Sequence, residues 1–179
     1  MIPKENNFAF IDSQNLNLGI RVQGWELDFA RFCIYLKDKY CITKAFLCIG
    51  YVKGNEGLYK YLQESGYICV FKPTLELPDG DVKGNVDAEL VLHTMIHIND
   101  FDRALIVSGD GDFHCLIGHL LEQKKLLALM VPNHKKYSGL LKQKDFLPHT
   151  RFVADIKNKV QKKKDPNEDK TSSGHPFRS

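Results

Sequence analysis

Long apolar segments are missing from this sequence. No apolar run approaches the roughly 18 residues that a membrane-spanning helix requires. Residues 1–7 are mostly polar and do not contain the apolar core of a signal peptide. With 179 residues and 43% hydrophobic content, the chain is long enough to build one domain with a full core. These features predict a single globular domain in the cytoplasm.

A cysteine framework is missing as well. The chain has five cysteines, an odd number, and no two of them form a CxxC pair. This pattern indicates neither a disulfide framework nor a zinc knuckle. Because most of the cysteines lie in apolar segments, we expect buried free thiols at Cys33, Cys41, Cys48, Cys69 and Cys115.

Two common metal-binding motifs are incomplete. His93 and His97 have the i, i+4 spacing that can place two imidazoles on one zinc ion, but the glutamate of an HExxH motif is lacking. A packing or capping role is therefore the preferred interpretation. An EF-hand that began at Asp110 would need Gly and Glu where this chain has Cys115 and Leu121, so that motif is excluded.

Positive charge is concentrated at the end of the chain. The net charge is +3, yet residues 157–179 contain seven Lys and Arg against three Asp and Glu, whereas residues 1–156 contain 18 against 19. Residues 157–179 also have few apolar side chains with which to offset the entropy cost of ordering. We expect a domain over residues 1–156 and a basic, disordered tail over residues 157–179, which either adds affinity for phosphates or only increases solubility.

Strand-like and helix-like segments alternate along the chain. The strand-like runs cover residues 8–11, 44–51, 67–72, 104–107 and 126–131, with a candidate edge strand at 151–153. Helical spacing covers residues 25–40, 55–65, 114–124, a segment that begins near residue 87, and a short segment at 138–143. This alternation predicts an α/β fold with three layers, α/β/α, and a mainly parallel sheet of about five strands.

Polar side chains follow two of these strands at their carboxyl ends. The segment SGDGDF at residues 108–113 follows strand 104–107, Asp12 and Asn15 follow strand 8–11, and Asp87 lies in the first turns of the third helix. The carboxyl ends of parallel strands share one rim of the sheet, where ligands usually bind. Converging carboxylates repel one another unless a cation separates them, and oxygen ligands suit Mg²⁺ or Mn²⁺. Each aspartate taken alone is also explained as a helix cap or a turn residue.

Three short motifs carry a family resemblance. They are FIDSQNL at residues 10–16, KGNVD at 83–87 and VSGDGDF at 107–113. In this order and spacing they resemble the NYN domain of the PIN-like nuclease superfamily, in its bacterial LabA-like branch, over about residues 7–153. The resemblance implies a PIN-like α/β/α fold and a ribonuclease site that depends on Mg²⁺ or Mn²⁺. Its acidic metal ligands and catalytic residues would be Asp12, Asp87, Asp110 and Asp112, supported by Asn15 and Ser108.

Two positions depart from that family pattern. Ser13 stands where many such domains have Gly. His93, two turns after Asp87, stands where a further Asp is expected, and we assign it a supporting place at the site. The intact Asp-Gly-Asp motif favours an enzyme, whereas His93 favours a binding module that keeps the fold and has lost efficient chemistry.

Lysines are expected on the same rim as the acids. Each lysine alone is more often an ordinary surface residue, but together they could hold the phosphates of a nucleic acid beside the metal: Lys53, Lys72, Lys83, Lys135 and Lys136. The sequence therefore predicts a metal-dependent endoribonuclease with RNA as its partner. The alternatives are the nucleic-acid- or protein-binding module and an acidic pocket for a small phosphorylated ligand. The oligomeric state stays open, with a homodimer as one option.

Overall fold

The computed structural model describes residues 5–73, 75–76, 82–83 and 86–163. Within them, one sheet contains β1 (Asn7–Asp12), β2 (Ile42–Tyr51), β3 (Tyr67–Pro73), β6 (Ala104–Val107), β7 (Leu126–Val131) and β8 (Thr150–Phe152). Two short segments, β4 (Leu75–Glu76) and β5 (Val82–Lys83), pair antiparallel with each other outside that sheet. The helices are α1 (Ser13–Arg21), α2 (Phe29–Tyr40), α3 (Glu56–Glu64), α4 (Asp87–Ile96), α5 (His114–Glu122) and α6 (Lys157–Val160).

The order of strands in the sheet is β3-β2-β1-β6-β7-β8, and every neighbouring pair is parallel. The chain first builds from β1 through β2 to β3, and then continues from β6 on the other side of β1. The loops after β1 and β6 therefore diverge, which leaves a crevice at the carboxyl ends of these two central strands. The predicted α/β/α fold is confirmed, and the sheet has six strands where about five were predicted.

Side-chain alternation along the strands divides the core into two layers. Ala9 and Ile11 of β1 pack with α1, α2 and α3, whereas Phe8 and Phe10 pack with α4 and α5. Phe10 stacks on Phe46 of β2 with ring centroids 5.2 Å apart. Because Asp12 follows Phe8 and Phe10 at intervals of two residues, its side chain is on the same side of the sheet as α4 and α5.

The segment after β1 is a helix, α1, which is not among the helices predicted from spacing. Asp12 caps α1, since its Oδ1 atom accepts a hydrogen bond from the backbone N–H of Asn15 at 2.9 Å. Leu16 and Ile20, four residues apart, are fully buried. Between them stand Asn17, the half-exposed Leu18 and Gly19, so the apolar residues of this segment do not outline a helical stripe in the sequence.

The packed part of the chain continues beyond residue 156, where the predicted domain ended. Val160 of α6 is fully buried, and its carbonyl accepts a hydrogen bond from the N–H of Asp28 at 2.8 Å. The N–H of Lys162 donates to the carbonyl of Glu26 at 2.9 Å. One apolar side chain and two backbone contacts thus hold a segment whose composition is otherwise that of a tail. The remaining tail, residues 164–179, lies outside the described residues.

The five cysteines are free. Cys33 and Cys48 are buried, Cys41 and Cys69 are partly buried, and Cys115 is exposed, so the expected burial holds for two of the five in full. In the part of the chain that the structure describes, no helix has the length and hydrophobicity to cross a bilayer.

Candidate functional site

The crevice between the ends of β1 and β6 brings two distant segments into direct contact. Ile11 of β1 lies beside Val107 of β6 in the sheet, so the residues that follow them meet above it. The buried Ser108 donates its hydroxyl proton to Asp12 Oδ2 at 3.3 Å and accepts the N–H of Asp110 at 3.1 Å. The Oδ1 atom of Asn15 accepts the N–H of Gly109 at 2.8 Å. These bonds fix the loop after β6 to the start of α1.

Three carboxylates converge above this hydrogen-bonded loop. Asp87 begins α4, and Asp110 caps a short 3-10 helix at Gly111–Phe113 by accepting the N–H of Asp112 at 3.1 Å. One carboxylate oxygen each from Asp87, Asp110 and Asp112 lies within 4.8 Å of the other two. We call these three residues the acidic group. Their oxygens are the ligand type that Mg²⁺ and Mn²⁺ prefer, so the donor set fits the expected cation.

Asp12 lies beneath the acidic group and is not a member of it. Its side chain is almost fully buried, and burial raises the pKa of its carboxyl to about 6. The Asn15 and Ser108 hydrogen bonds oppose that rise, whereas the negative charges of Asp87 and Asp110 add to it. Asp12 is therefore close enough to Asp87 and Asp110 for their charges to affect its pKa.

An open pocket of about 430 Å³ lies next to the acidic group. Asn15, Asp110 and Asp112 form one side of it, and the loop after β7 forms the other with Lys136, Tyr137, Ser138 and Leu140. The crevice at the sheet's switch point thus contains both a candidate cation site and room for a small ligand.

Comparison with known protein families decides the classification. The NYN domain family matches residues 8–149, most of the chain. This chain belongs to the NYN domain family. NYN domains are part of the PIN-like superfamily, as the motifs at both strand ends indicated.

A solved structure shares the fold of this NYN domain. A crystal structure of a protein of unknown function from Vibrio parahaemolyticus superposes with a TM-score of 0.62 at 18% sequence identity. The match covers 85% of this chain and 93% of that one. Among curated proteins, none matches the sequence.

Glu89 of the NYN domain is an acid that the sequence analysis missed. Burial, together with the negative charges of Asp12 and Glu89, raises the pKa of the Cys48 thiol to about 12. Since Cys48 lies beside Asp12 in the sheet, Glu89 is on the β2 side of the crevice. Its Oε2 atom is 3.3 Å from Nζ of Lys72. A usable signal was its position two residues after Asp87, in the first turn of α4.

His93 does not lie with the acidic group. It lies six positions after Asp87, so its side chain points about 120° away from that of Asp87 around the axis of α4. Its ring lies 6.1 Å from that of Phe46 and 6.5 Å from that of His97, and its buried Nδ1 atom has no hydrogen-bond partner among the described residues. His97 bonds instead to Asp100, Nδ1 to Oδ2, at 2.6 Å. The supporting role predicted for His93 thus gains no support from its position.

The predicted lysines occupy different surroundings. Lys136 lines the pocket, and Lys135 is exposed in the same loop. Lys53 is exposed in the turn after β2, and Lys72 is paired with Glu89. Lys83 is in β5, and its side chain is outside the described part of the structure. Of the predicted lysines whose side chains the structure describes, Lys136 is therefore the one that lines the pocket.

Proposed function

We propose that this NYN domain is a metal-dependent ribonuclease that hydrolyses phosphodiester bonds within RNA chains. The observation that carries the proposal is the convergence of Asp87, Asp110 and Asp112 within 4.8 Å at the switch point of a parallel sheet. Three carboxylates so close oppose folding unless a cation offsets their charge. Membership of the PIN-like superfamily supports phosphodiester hydrolysis as the reaction.

The residues of the acidic group would hold Mg²⁺ or Mn²⁺. A bound ion supplies a water of lowered pKa and neutralises charge on the phosphodiester. The protein's own contribution is to present three oxygens from two segments at fixed positions. Asp110 is held by the N–H of Asp112, and its own N–H is held by Ser108.

Asp12 acts in this proposal as a positioning residue. Both of its carboxylate oxygens accept hydrogen bonds, from the Asn15 N–H and the Ser108 hydroxyl. Through Ser108 it fixes the backbone of the loop that carries Asp110 and Asp112. Its buried charge also adds to the negative potential that would attract a divalent cation.

Cleavage of a generic single-stranded RNA after chelation and return of Mg²⁺ or Mn²⁺ tests the proposal. The parent protein and Asp38→Asn, a control at an exposed site on α2, should cleave only with the metal. Asp110→Asn should lose more activity than the roughly 10- to 100-fold that loss of an outer-shell partner costs. Because all three proteins are purified identically, equal cleavage by Asp110→Asn, or cleavage in the presence of chelator, would contradict the proposal.

The binding-module alternative rested on His93. Since His93 packs on Phe46 and not on the acidic group, its presence no longer argues against a metal site. Metal-dependent RNA binding without cleavage by the parent protein is the result that would favour the module.

A further inference from the structure

The pocket beside the acidic group is built by close contact between two loops. The N–H of Ser138 donates to the carbonyl of Gly109 at 3.0 Å. A Cβ atom on Gly109 would lie 3.1 Å from the Cβ of Tyr137, and one on Gly111 would overlap the hydroxyl of Ser138. Only glycine lets the loops approach this closely. The loop that carries Tyr137 is therefore seated directly on the loop that carries Asp110 and Asp112.

The pocket walls differ in chemistry. The loop after β6 contributes the carboxylates of Asp110 and Asp112, and the segment after β7 contributes Lys136, Tyr137 and the half-exposed Leu140. A ligand that suits both walls has a phosphate that can share a cation with the carboxylates, and a flat apolar group for the aromatic wall. A nucleotide has both.

The Tyr137 ring is fixed by its neighbours. It lies edge-on to Phe152, with ring centroids 5.9 Å apart. Nζ of Lys142 lies over one face of the Tyr137 ring, 4.8 Å from its centre, so a base would stack on the other face. A ring held in place costs little entropy when a base stacks on it.

We propose that this pocket binds one unpaired nucleotide of a single-stranded RNA, with its base against Tyr137 and a phosphate near Lys136. This inference rests on the proposed function, because it places the nucleotide next to the phosphate that the acidic group would act on. The volume of about 430 Å³ is within the range of small-ligand pockets. A base inside a duplex is stacked and paired, so it cannot enter, and the pocket selects single strands.

Binding of a fluorescein-labelled single-stranded RNA to the parent protein, measured by anisotropy in chelator so that the RNA stays intact, tests this selection. Tyr137→Ala should weaken binding by roughly 5- to 100-fold, the range for loss of one base–aromatic stack, and Tyr137→Phe should retain it. Lys136→Ala should reduce the slope of log affinity against log salt concentration by the amount expected for the loss of about one phosphate contact. The matched control is Tyr61→Ala, which removes a half-exposed aromatic from α3, on the other side of the sheet.

The same measurement is repeated with a blunt RNA duplex. The duplex should bind more weakly than the single strand, and Tyr137→Ala should not change the affinity of the protein for the duplex. If Tyr137→Ala fails to fold, Leu140→Glu decides the question, because this half-exposed side chain lines the same pocket and a carboxylate there repels RNA. Equal affinity of parent and Tyr137→Ala for the single strand, or equal affinity for strand and duplex, would overturn the inference.

The two proposals fail in different ways. If the parent protein binds single-stranded RNA through Tyr137 and never cleaves it, the pocket inference stands and the nuclease proposal falls. If cleavage requires Asp110 while Tyr137→Ala binds and cleaves like the parent, the nuclease proposal stands and the pocket inference falls.

Discussion

Replacing Asp12 by Asn should stabilise the metal-free protein at neutral pH. The pKa of the Asp12 carboxyl rises from 3.8 to about 6 on folding, mainly because the group is buried. At 1.36 kcal/mol for each pKa unit, the ionised form lowers the free energy of unfolding by about 3 kcal/mol. Asn can still cap α1, but the Ser108 hydroxyl loses its acceptor, at a cost of about 1 kcal/mol. The net gain is about 2 kcal/mol, or roughly 4–8 °C in melting temperature.

The pH dependence of this effect has a defined sign. Between about pH 4 and pH 6, Asp12 is ionised in the unfolded chain but still protonated in the folded protein, so the parent loses stability as the pH rises through this range. Asp12→Asn lacks this loss. In urea unfolding with chelator, Asp12→Asn should therefore have a higher free energy of unfolding than the parent at about pH 8 but not at about pH 4. If the variant is no more stable than the parent at about pH 8, or is more stable by the same amount at both pH values, burial of the Asp12 charge does not destabilise the fold.

Three further predictions concern packing. Gly111→Ala should lower the free energy of unfolding, measured by chemical denaturation, by about 1–3 kcal/mol, because its Cβ would overlap a neighbouring hydroxyl. Gly57→Ala is the control: its position on α3 is open, so the same measurement should show no change or a gain of up to about 1 kcal/mol. His93→Asp should leave Mn²⁺ affinity, measured by calorimetry, unchanged. It should lower the melting temperature, because a carboxylate would replace a ring that packs against Phe46 and whose buried Nδ1 atom has no hydrogen-bond partner among the described residues. Tighter Mn²⁺ binding would place residue 93 at the metal. Val160→Ala should lower the free energy of unfolding by about 2 kcal/mol, because Val160 is fully buried. Ending the chain after Lys163 should leave the melting temperature unchanged and weaken RNA binding mainly at low salt. A large loss of stability on that truncation would mean that residues 164–179 pack on the domain.

The parallel sheet and the place of the acids were predictable from the sequence. Runs such as residues 104–107 are apolar at every position, as a strand buried on both faces requires. Parallel topology then puts the ends of β1 and β6 on one rim, so that Asp12 and Asp110 had to be near each other once the two strands were neighbours. Which strands are neighbours depends on the strand order of the sheet, and local sequence patterns do not encode that order.

The direction of individual side chains was not predictable to the same extent. Whether Asp87 or Glu89 faces Asp110 depends on the rotation of α4, and a helix start that shifts by one residue turns every side chain by about 100°. The role proposed for Tyr137 depends on contact between residues 27 to 29 positions apart in the sequence, which no local pattern contains. Short elements such as β8 are equally weak in the sequence, because three residues carry little periodicity.

Anomalous diffraction from crystals of the full chain soaked in Mn²⁺ would show directly whether the acidic group binds a divalent cation. We expect an anomalous peak within about 2.0–2.2 Å of carboxylate oxygens of Asp87, Asp110 and Asp112. The peak should disappear in crystals of Asp110→Asn. A peak elsewhere on the protein, or none between these three carboxylates at saturating Mn²⁺, would contradict the claim that the acidic group is a divalent-cation site.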